Sequence, residues 1–199
     1  MSLDISKMQQ KFNNLKNKGF GSQSTGSVKY WKPEEGENVV RIVPTSDGDP
    51  FKEYWFHYGV GGANFLCPSK NFGEDCAVCD FVRSVYKDKT SSEEDRNQAK
   101  ELSAKQRFYS PVIDRSNEKE GVKVWAYSKK VYEALLQLVL NPDYGDITDP
   151  RDGIDLVVTN GKTDPKQKFA MSTVTPRRKS SALAADKDLM KQFLDHNLD

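Results

Sequence analysis

A chain of 199 residues with 36% hydrophobic and 30% charged content carries material for one modest core and leaves room for a small satellite unit. Lys+Arg 30 against Asp+Glu 29 gives a formal net charge of +1, so bulk charge favours no polyanionic partner and only its distribution bears on one. The longest apolar run, Ala134 to Leu140, falls far short of the roughly 20 residues of a membrane helix. Met1 to Phe12 also lacks the apolar stretch of a secretion signal, so the expectation is a cytosolic protein without a membrane partner.

Within Leu3 to Lys18, Ile5, Met8, Phe12 and Leu15 fall at helical spacing and make one apolar stripe on a Lys-rich segment. Gly19 to Ser27 reads as a linker by composition, which makes residues 1–27 an arm. Val39 to Val43, closed by Pro44, and Phe51 to Tyr58 are strand-like runs on either side of Ser46-Asp47-Gly48-Asp49-Pro50, a pattern that predicts a hairpin. A helix through Phe81, Val82 and Val85 follows. Lys87 to Glu101 is either an exposed helix capped by Ser92 or a loop. Strands are expected over Lys105 to Ile113 and Val122 to Tyr127, then a helix from Ser128 to Leu140 that stops at Asn141-Pro142. Ile154 to Thr159 and Lys168 to Val174 form a last pair about Gly161, and Ala182 to Asp199 reads as an acid-biased tail. Short strands with one helix set among them predict a mainly β fold with α additions. The expected architecture is an OB-fold-like five-stranded barrel over residues 28–181 carrying a small metal subdomain at about 57–86.

His57, Cys67, Cys76 and Cys79 read His-x9-Cys-x8-Cys-x2-Cys, and they take in all 3 cysteines and one of the 2 histidines of the chain. A Cys-x2-Cys pair opening a helix turns both thiolates toward one tetrahedral ion. In a reducing compartment an odd number of cysteines favours metal over disulfides. Four protein ligands leave no place for a reactive water, so one structural Zn2+ is expected. Catalytic zinc of the nucleobase-deaminase kind requires His-x-Glu and Pro-Cys. Here Tyr58-Gly59 follows His57 and Asp75 precedes Cys76.

In Val122-Lys123-Val124-Trp125-Ala126-Tyr127 strand alternation puts Lys123, Trp125 and Tyr127 on one face and the aliphatics on the other. With Lys129 and Lys130 next in sequence, the aromatic face is expected to point outward and stack unpaired bases while cations follow the phosphates. Lys105, Arg107 and Tyr109 alternate in the same way against Phe108 and Val112, and Tyr54, Trp31 and Arg41 stand in similar surroundings. The expected nucleic-acid contacts are therefore Arg41, Lys105, Arg107, Tyr109, Lys123, Trp125, Tyr127 and Lys129, with Trp31 and Tyr54. No phosphate-binding loop or nucleophile constellation is present, and the second histidine, His196, stands near the chain end, so no enzymatic activity is expected.

The order of these elements resembles the single-stranded DNA-binding, helix-destabilising protein of T4-type bacteriophages. The likeness is carried by Asn17-Lys18-Gly19-Phe20, Val40-Arg41-Ile42-Val43-Pro44, His57 with Asp75-Cys76-Ala77-Val78-Cys79, and the Lys123 to Tyr127 strand running into Lys129-Lys130. The resemblance implies an OB barrel with a zinc subdomain and a basic, aromatic cleft for single-stranded DNA. It further implies a role in phage replication, recombination and repair in the infected bacterial cytoplasm, self-association through the N-terminal arm, and recruitment of replication proteins by an acidic C-terminal tail. The family's basic Lys/Arg-Ser/Thr string belongs at the N-terminus. Here the comparable string is Arg177-Arg178-Lys179-Ser180-Ser181. The competing expectation is a zinc-stabilised adaptor of the replication machinery that binds protein partners and not nucleic acid.

Overall fold

The strand β5 (Lys105–Asp114) organises the fold. Its Phe108, Ser110 and Val112 are buried, whereas Lys105 and Arg107 are exposed, the alternation of a strand with one face on a core. The computed structural model describes residues 28–162 and 170–196; the amphipathic stripe and linker expected over 1–27 lie outside them. Antiparallel β6 (Lys123–Tyr127) lies along one edge of β5, from Phe108 opposite Tyr127 to Val112 opposite Lys123. The other edge is shared between two partners. Antiparallel β3 (Lys52–Val60) takes Lys105 to Tyr109 and antiparallel β2 (Gly36–Ile42) takes Val112 to Asp114. The predicted hairpin between the two runs is therefore corrected: they follow one another along β5 and do not pair with each other, because a ten-residue strand offers more edge than either one fills.

The short β1 (Tyr30–Trp31) runs parallel to β6, β7 (Ile154–Gly161) pairs with β2, β8 (Met171–Ser180) pairs with β7, and β4 (Ala63–Leu66) pairs with β3. The result is one 8-stranded sheet in the order β1-β6-β5-β2-β7-β8, with β3 and β4 branching from β5. This differs from the expected barrel of five strands. The β7/β8 pair continues far enough to carry Arg177, Arg178 and Lys179 on a strand at the end of that order.

Helix α4 (Lys129–Leu140) starts after Ser128 and ends at Asn141. It lays Val131 and Leu135 on the core formed by Trp31, Val40, Ile42, Phe108, Trp125 and Leu156. Residues beyond β8, expected to be a tail, bury Leu183, Ala184 and, from α5 (Lys187–Leu194), Phe193 against Val43 and Ile113. Two arginines hold that return. Arg41 Nη2 donates to the carbonyls of Asp149 and Ser181, each at 2.8 Å, and Arg115 donates to those of Ala182 and Leu183.

Three further helices lie outside the sheet: α1 (Pro68–Phe72), α2 (Ala77–Lys87) and α3 (Glu93–Leu102). Between the two readings of Lys87 to Glu101, the helix is correct. The Ser92 hydroxyl accepts from the Asp95 N–H at 3.0 Å while the Asp95 carboxylate accepts from the Ser92 N–H at 3.1 Å, a reciprocal cap. Ser92→Ala is expected to cost about 1 kcal/mol, read as a lower midpoint in urea with an unchanged slope.

Candidate nucleic-acid interface and metal centre

The four candidate ligands reach one point because the chain folds back tightly after His57. Gly59, Gly61 and Gly62 adopt φ of 70°, 59° and 82°, values L side chains resist, and they turn β3 into β4. Cys67 then caps α1, its sulfur accepting from the Lys70 N–H at 3.4 Å. Cys76 is the N-cap of α2, which places Cys79 in the first turn. The four ligand atoms lie within 4.8 Å of one another. Cys67 and Cys79 Sγ are 3.4 Å apart, and His57 Nε2 lies 3.4 Å from Cys76 Sγ and 3.6 Å from Cys79 Sγ. Ligands about 2.0 to 2.3 Å from a common tetrahedral centre are separated by roughly 3.5 to 3.8 Å, so these side chains fit one ion.

Protonation supports the fit. A carbonyl oxygen can only accept, so the 2.8 Å contact between His57 Nδ1 and the Leu102 carbonyl puts the ring proton on Nδ1 and leaves Nε2 its lone pair for the metal. Burial, with the adjoining Cys67 and Cys76 sulfurs, pushes the Cys79 thiol up to about 12. Burial opposes ionisation of Cys76 too, but hydrogen bonds from the Cys79 backbone and side chain outweigh it and bring that thiol down to about 7. Crowded sulfurs that resist sharing negative charge are the surroundings a cation relieves.

The aromatic and cationic residues divide sharply by face. In the β3/β5 ladder Lys52 stands opposite Tyr109, Tyr54 opposite Arg107 and Phe56 opposite Lys105. Directly opposed residues share a face, so each of these three pairs sets a cation against an aromatic ring. Tyr54 and Tyr109 are 6.0 Å apart between ring centres, Phe56 and Tyr58 likewise 6.0 Å, and the Arg107 guanidinium lies 5.6 Å from the Tyr58 ring. Burial, reinforced by Tyr58, pushes the Tyr109 hydroxyl up to about 12. Lys52 is tied to Asp47 by a hydrogen bond that raises its pKa, whereas Lys105 and Arg107 are exposed. Arg107 also lines a cleft of about 520 Å3 with Lys129 and Lys130 at the start of α4. Of the sequence-predicted contacts, Tyr54, Lys105, Arg107, Tyr109 and Lys129 thus lie on or beside one surface.

The remaining five are corrected. Trp125 is 1% exposed and Tyr127 6%. Opposite them on β5 stand Ser110 and Phe108, whereas Ala126 faces Tyr109, so the strand presents its small residue outward and its rings inward. Rings bury far more apolar area than Val124 and Ala126 can, and the Tyr127 hydroxyl is satisfied by donating to Ser110 Oγ at 2.7 Å, which itself donates to the Pro50 carbonyl. Burial raises the Tyr127 pKa. Lys123 shares that inward face at the strand end, where its stem is covered and its ammonium reaches Glu120 at 2.5 Å. Trp31, 4% exposed, meets Trp125 edge-on at 5.4 Å and donates from Nε1 to Asp114 at 3.0 Å. Arg41 is fully buried with Asp155 and holds backbone carbonyls. Phe56, as readily a core residue from the sequence, shares the face of Tyr54 by its parity along β3. Trp125→Ala is expected to destabilise by about 3 to 5 kcal/mol through the cavity it leaves, read by urea unfolding. A stability within 1 kcal/mol of the parent would show that the ring is not a core member.

A β-sheet whose one face pairs cations with rings lies next to a His/Cys3 cluster that could hold a metal, the arrangement of a mainly β domain with a small insertion. The family model described as gp32 DNA binding protein like matches residues 34–199, and the chain belongs to that family, as the resemblance to the T4-type phage protein led one to expect. Comparison with curated proteins gave no match. No helix among the described residues is long and apolar enough to cross a membrane.

Proposed function

We propose that this protein binds single-stranded DNA without sequence preference, coating and protecting it during phage replication, recombination and repair. The observation that carries this reading is the β3/β5 ladder, in which Lys52, Arg107 and Lys105 each oppose an aromatic ring. Every base has a π-face to stack and every nucleotide a phosphate to neutralise, so rings interleaved with cations favour single strands and ignore sequence. Membership of a DNA-binding family supports the same reading. The bases would stack on Tyr54, Phe56, Tyr58 and Tyr109, and the phosphates would meet Lys105, Arg107, Lys129 and Lys130. The sheet would serve as an OB-type platform. Its metal would be a single structural zinc, held by His57, Cys67, Cys76 and Cys79, whose part is to fix the insertion that includes the end of β3.

Tyr54→Ala and Tyr109→Ala are each expected to weaken oligo-dT binding by about 1 to 3 kcal/mol with the log-log salt slope retained. Arg107→Ala should lower the affinity and flatten that slope by about 0.7. Fluorescence anisotropy at several salt concentrations reads both. Binding of duplex as tight as that of single strand, or indifference to all three substitutions, would reject the interface.

A further inference from the structure

The outward aromatic set does not end at β5. Ala126 of β6 stands opposite Tyr109, and Tyr30 of β1 stands opposite Val124. Directly opposed residues share a face, and alternate residues along a strand return to it. Tyr30, Val124, Ala126 and Tyr109 therefore look outward together, while Trp31 and Trp125 look into the core. Tyr30 is 60% exposed, against 4% for Trp31 beside it. A ring so open adds little to the core, and its neighbours Lys29 and Lys32 are exposed as well. Burial and Tyr58 do most to raise the Tyr109 hydroxyl, and Tyr30 adds to that push, so the two phenols lie within electrostatic reach of each other across β6.

The ground between them is low and cationic. Ala126 is small and exposed, and the cleft of about 520 Å3 that it floors takes Arg107, Lys129 and Lys130, without a carboxylate among its described residues. Two strand spacings sideways and two residues along the strand separate Tyr30 from Tyr109 by about 12 Å. Phosphates lie about 3.4 Å apart along a stacked strand and roughly twice that when it is stretched, so about two nucleotides cover the distance. Past Tyr30 the surface changes. The hollow of about 990 Å3 that Tyr30 borders holds Lys32 and Arg177 but also the exposed Glu34 and Glu37, which repel phosphates. We propose that single-stranded DNA leaves the β3/β5 ladder over Ala126 and stacks a further base on Tyr30, so that the binding surface spans β3, β5, β6 and β1. This extension rests on the reading of the ladder as the DNA platform.

The test uses the full chain and oligo-dT of increasing length, some of it carrying 5-iododeoxyuridine, which cross-links to aromatic rings on irradiation. Digestion and mass spectrometry should find Tyr30 cross-linked alongside Tyr54 and Tyr109. Tyr30→Ala should weaken binding of long oligo-dT by about 5- to 150-fold with the salt slope retained. Oligonucleotides too short to reach past the ladder should bind this variant as they bind the parent. Tyr30→Phe keeps a ring and should keep the affinity. Ala126→Leu should lower the cross-links to Tyr30 and spare those to Tyr54. Both sites are exposed, so thermal midpoints should not move. Cross-links to Tyr54 and Tyr109 with none to Tyr30, or losses in Tyr30→Ala that are equal at every length, would overturn the extension and leave the ladder standing. Failure of the parent protein to bind oligo-dT of any length would reject both.

Discussion

Stripping the ion proposed for His57, Cys67, Cys76 and Cys79 is expected to unfold the segment from His57 to Leu102 and to disturb the adjoining end of the aromatic face. The helices of that segment bury little. Helix α1 buries no residue, α2 buries only Val85 and α3 only Ala99, too little apolar area to order so many residues. A structural metal contributes on the order of 10 kcal/mol of folding free energy at neutral pH, far more than those two side chains. The coupling to function is geometric. His57 lies on β3 between Phe56 and Tyr58, its ring turned to the sulfurs while its neighbours point to the opposite face. Its Nδ1–H holds the Leu102 carbonyl, three residues before β5 begins at Lys105. Loss of the ion would therefore loosen the end of β3, which carries Tyr58, and the lead-in to β5. Hydrogen exchange with and without chelator should show protection lost across residues 57–104 while β6, β7 and α4 keep theirs, and oligo-dT affinity should fall in parallel. Acidification should mimic the chelator, because ligand protonation releases the ion. Unchanged protection in a sample that elemental analysis shows to be metal-free would refute the assignment.

The contrast between what the sequence announced and what it concealed follows from the range of the interactions involved. The clustering of His57, Cys67, Cys76 and Cys79 into a possible metal site was legible because coordination chemistry constrains residue type and spacing locally. Lys105, Arg107 and Tyr109 were legible because Phe108 and Val112, large and apolar, occupy the other parity of β5 and leave no doubt which face is buried. In β6 the same rule misleads: aromatics oppose small aliphatics there, and either set can form a core. The choice falls to the partner strand, since pairing Trp125 with Ser110 and Tyr127 with Phe108 fixes the inward face. Nor does composition disclose that β2 and β3 share one edge of β5, a consequence of register across the intervening 60-odd residues. Leu183, Ala184 and Phe193 lie too sparsely among polar residues to signal that the last residues return to the core. The one charge that breaks the apolar run Val39 to Val43, Arg41, marks a buried ion pair and not a phosphate contact.

Asp155→Ala is expected to be among the most destabilising single substitutions outside the metal centre. The Asp155 carboxylate is the counter-ion of two guanidinium groups: its Oδ1 accepts from Arg41 Nη1 at 3.3 Å and from Arg115 Nε and Nη2 at 3.0 and 2.9 Å. Burial lowers the Arg41 pKa and the Asp155 charge works against that shift. Removing the carboxylate leaves Arg41, whose side chain has no exposure, charged in a low-dielectric interior with only neutral carbonyls and a serine hydroxyl as partners. Arg115 retains Glu118 at 2.7 Å, so the penalty concentrates on Arg41. Breaking one side of a buried pair costs about 3 to 5 kcal/mol. The loss should be felt first where the arginines hold the chain: at Asp149 and at the Ser181 to Leu183 turn that seats α5 on Val43 and Ile113. Urea unfolding of the variant should show the lowered stability, and hydrogen exchange should show residues 181–196 opening before the sheet. The double variant Arg41→Met with Asp155→Leu removes both charges of the pair and should recover part of the loss, because well-packed apolar side chains often replace a buried pair at little cost. If Asp155→Ala instead shifts stability by less than 1 kcal/mol, Arg41 is satisfied by its carbonyl partners alone, and the carboxylate is not what holds the C-terminal return in place.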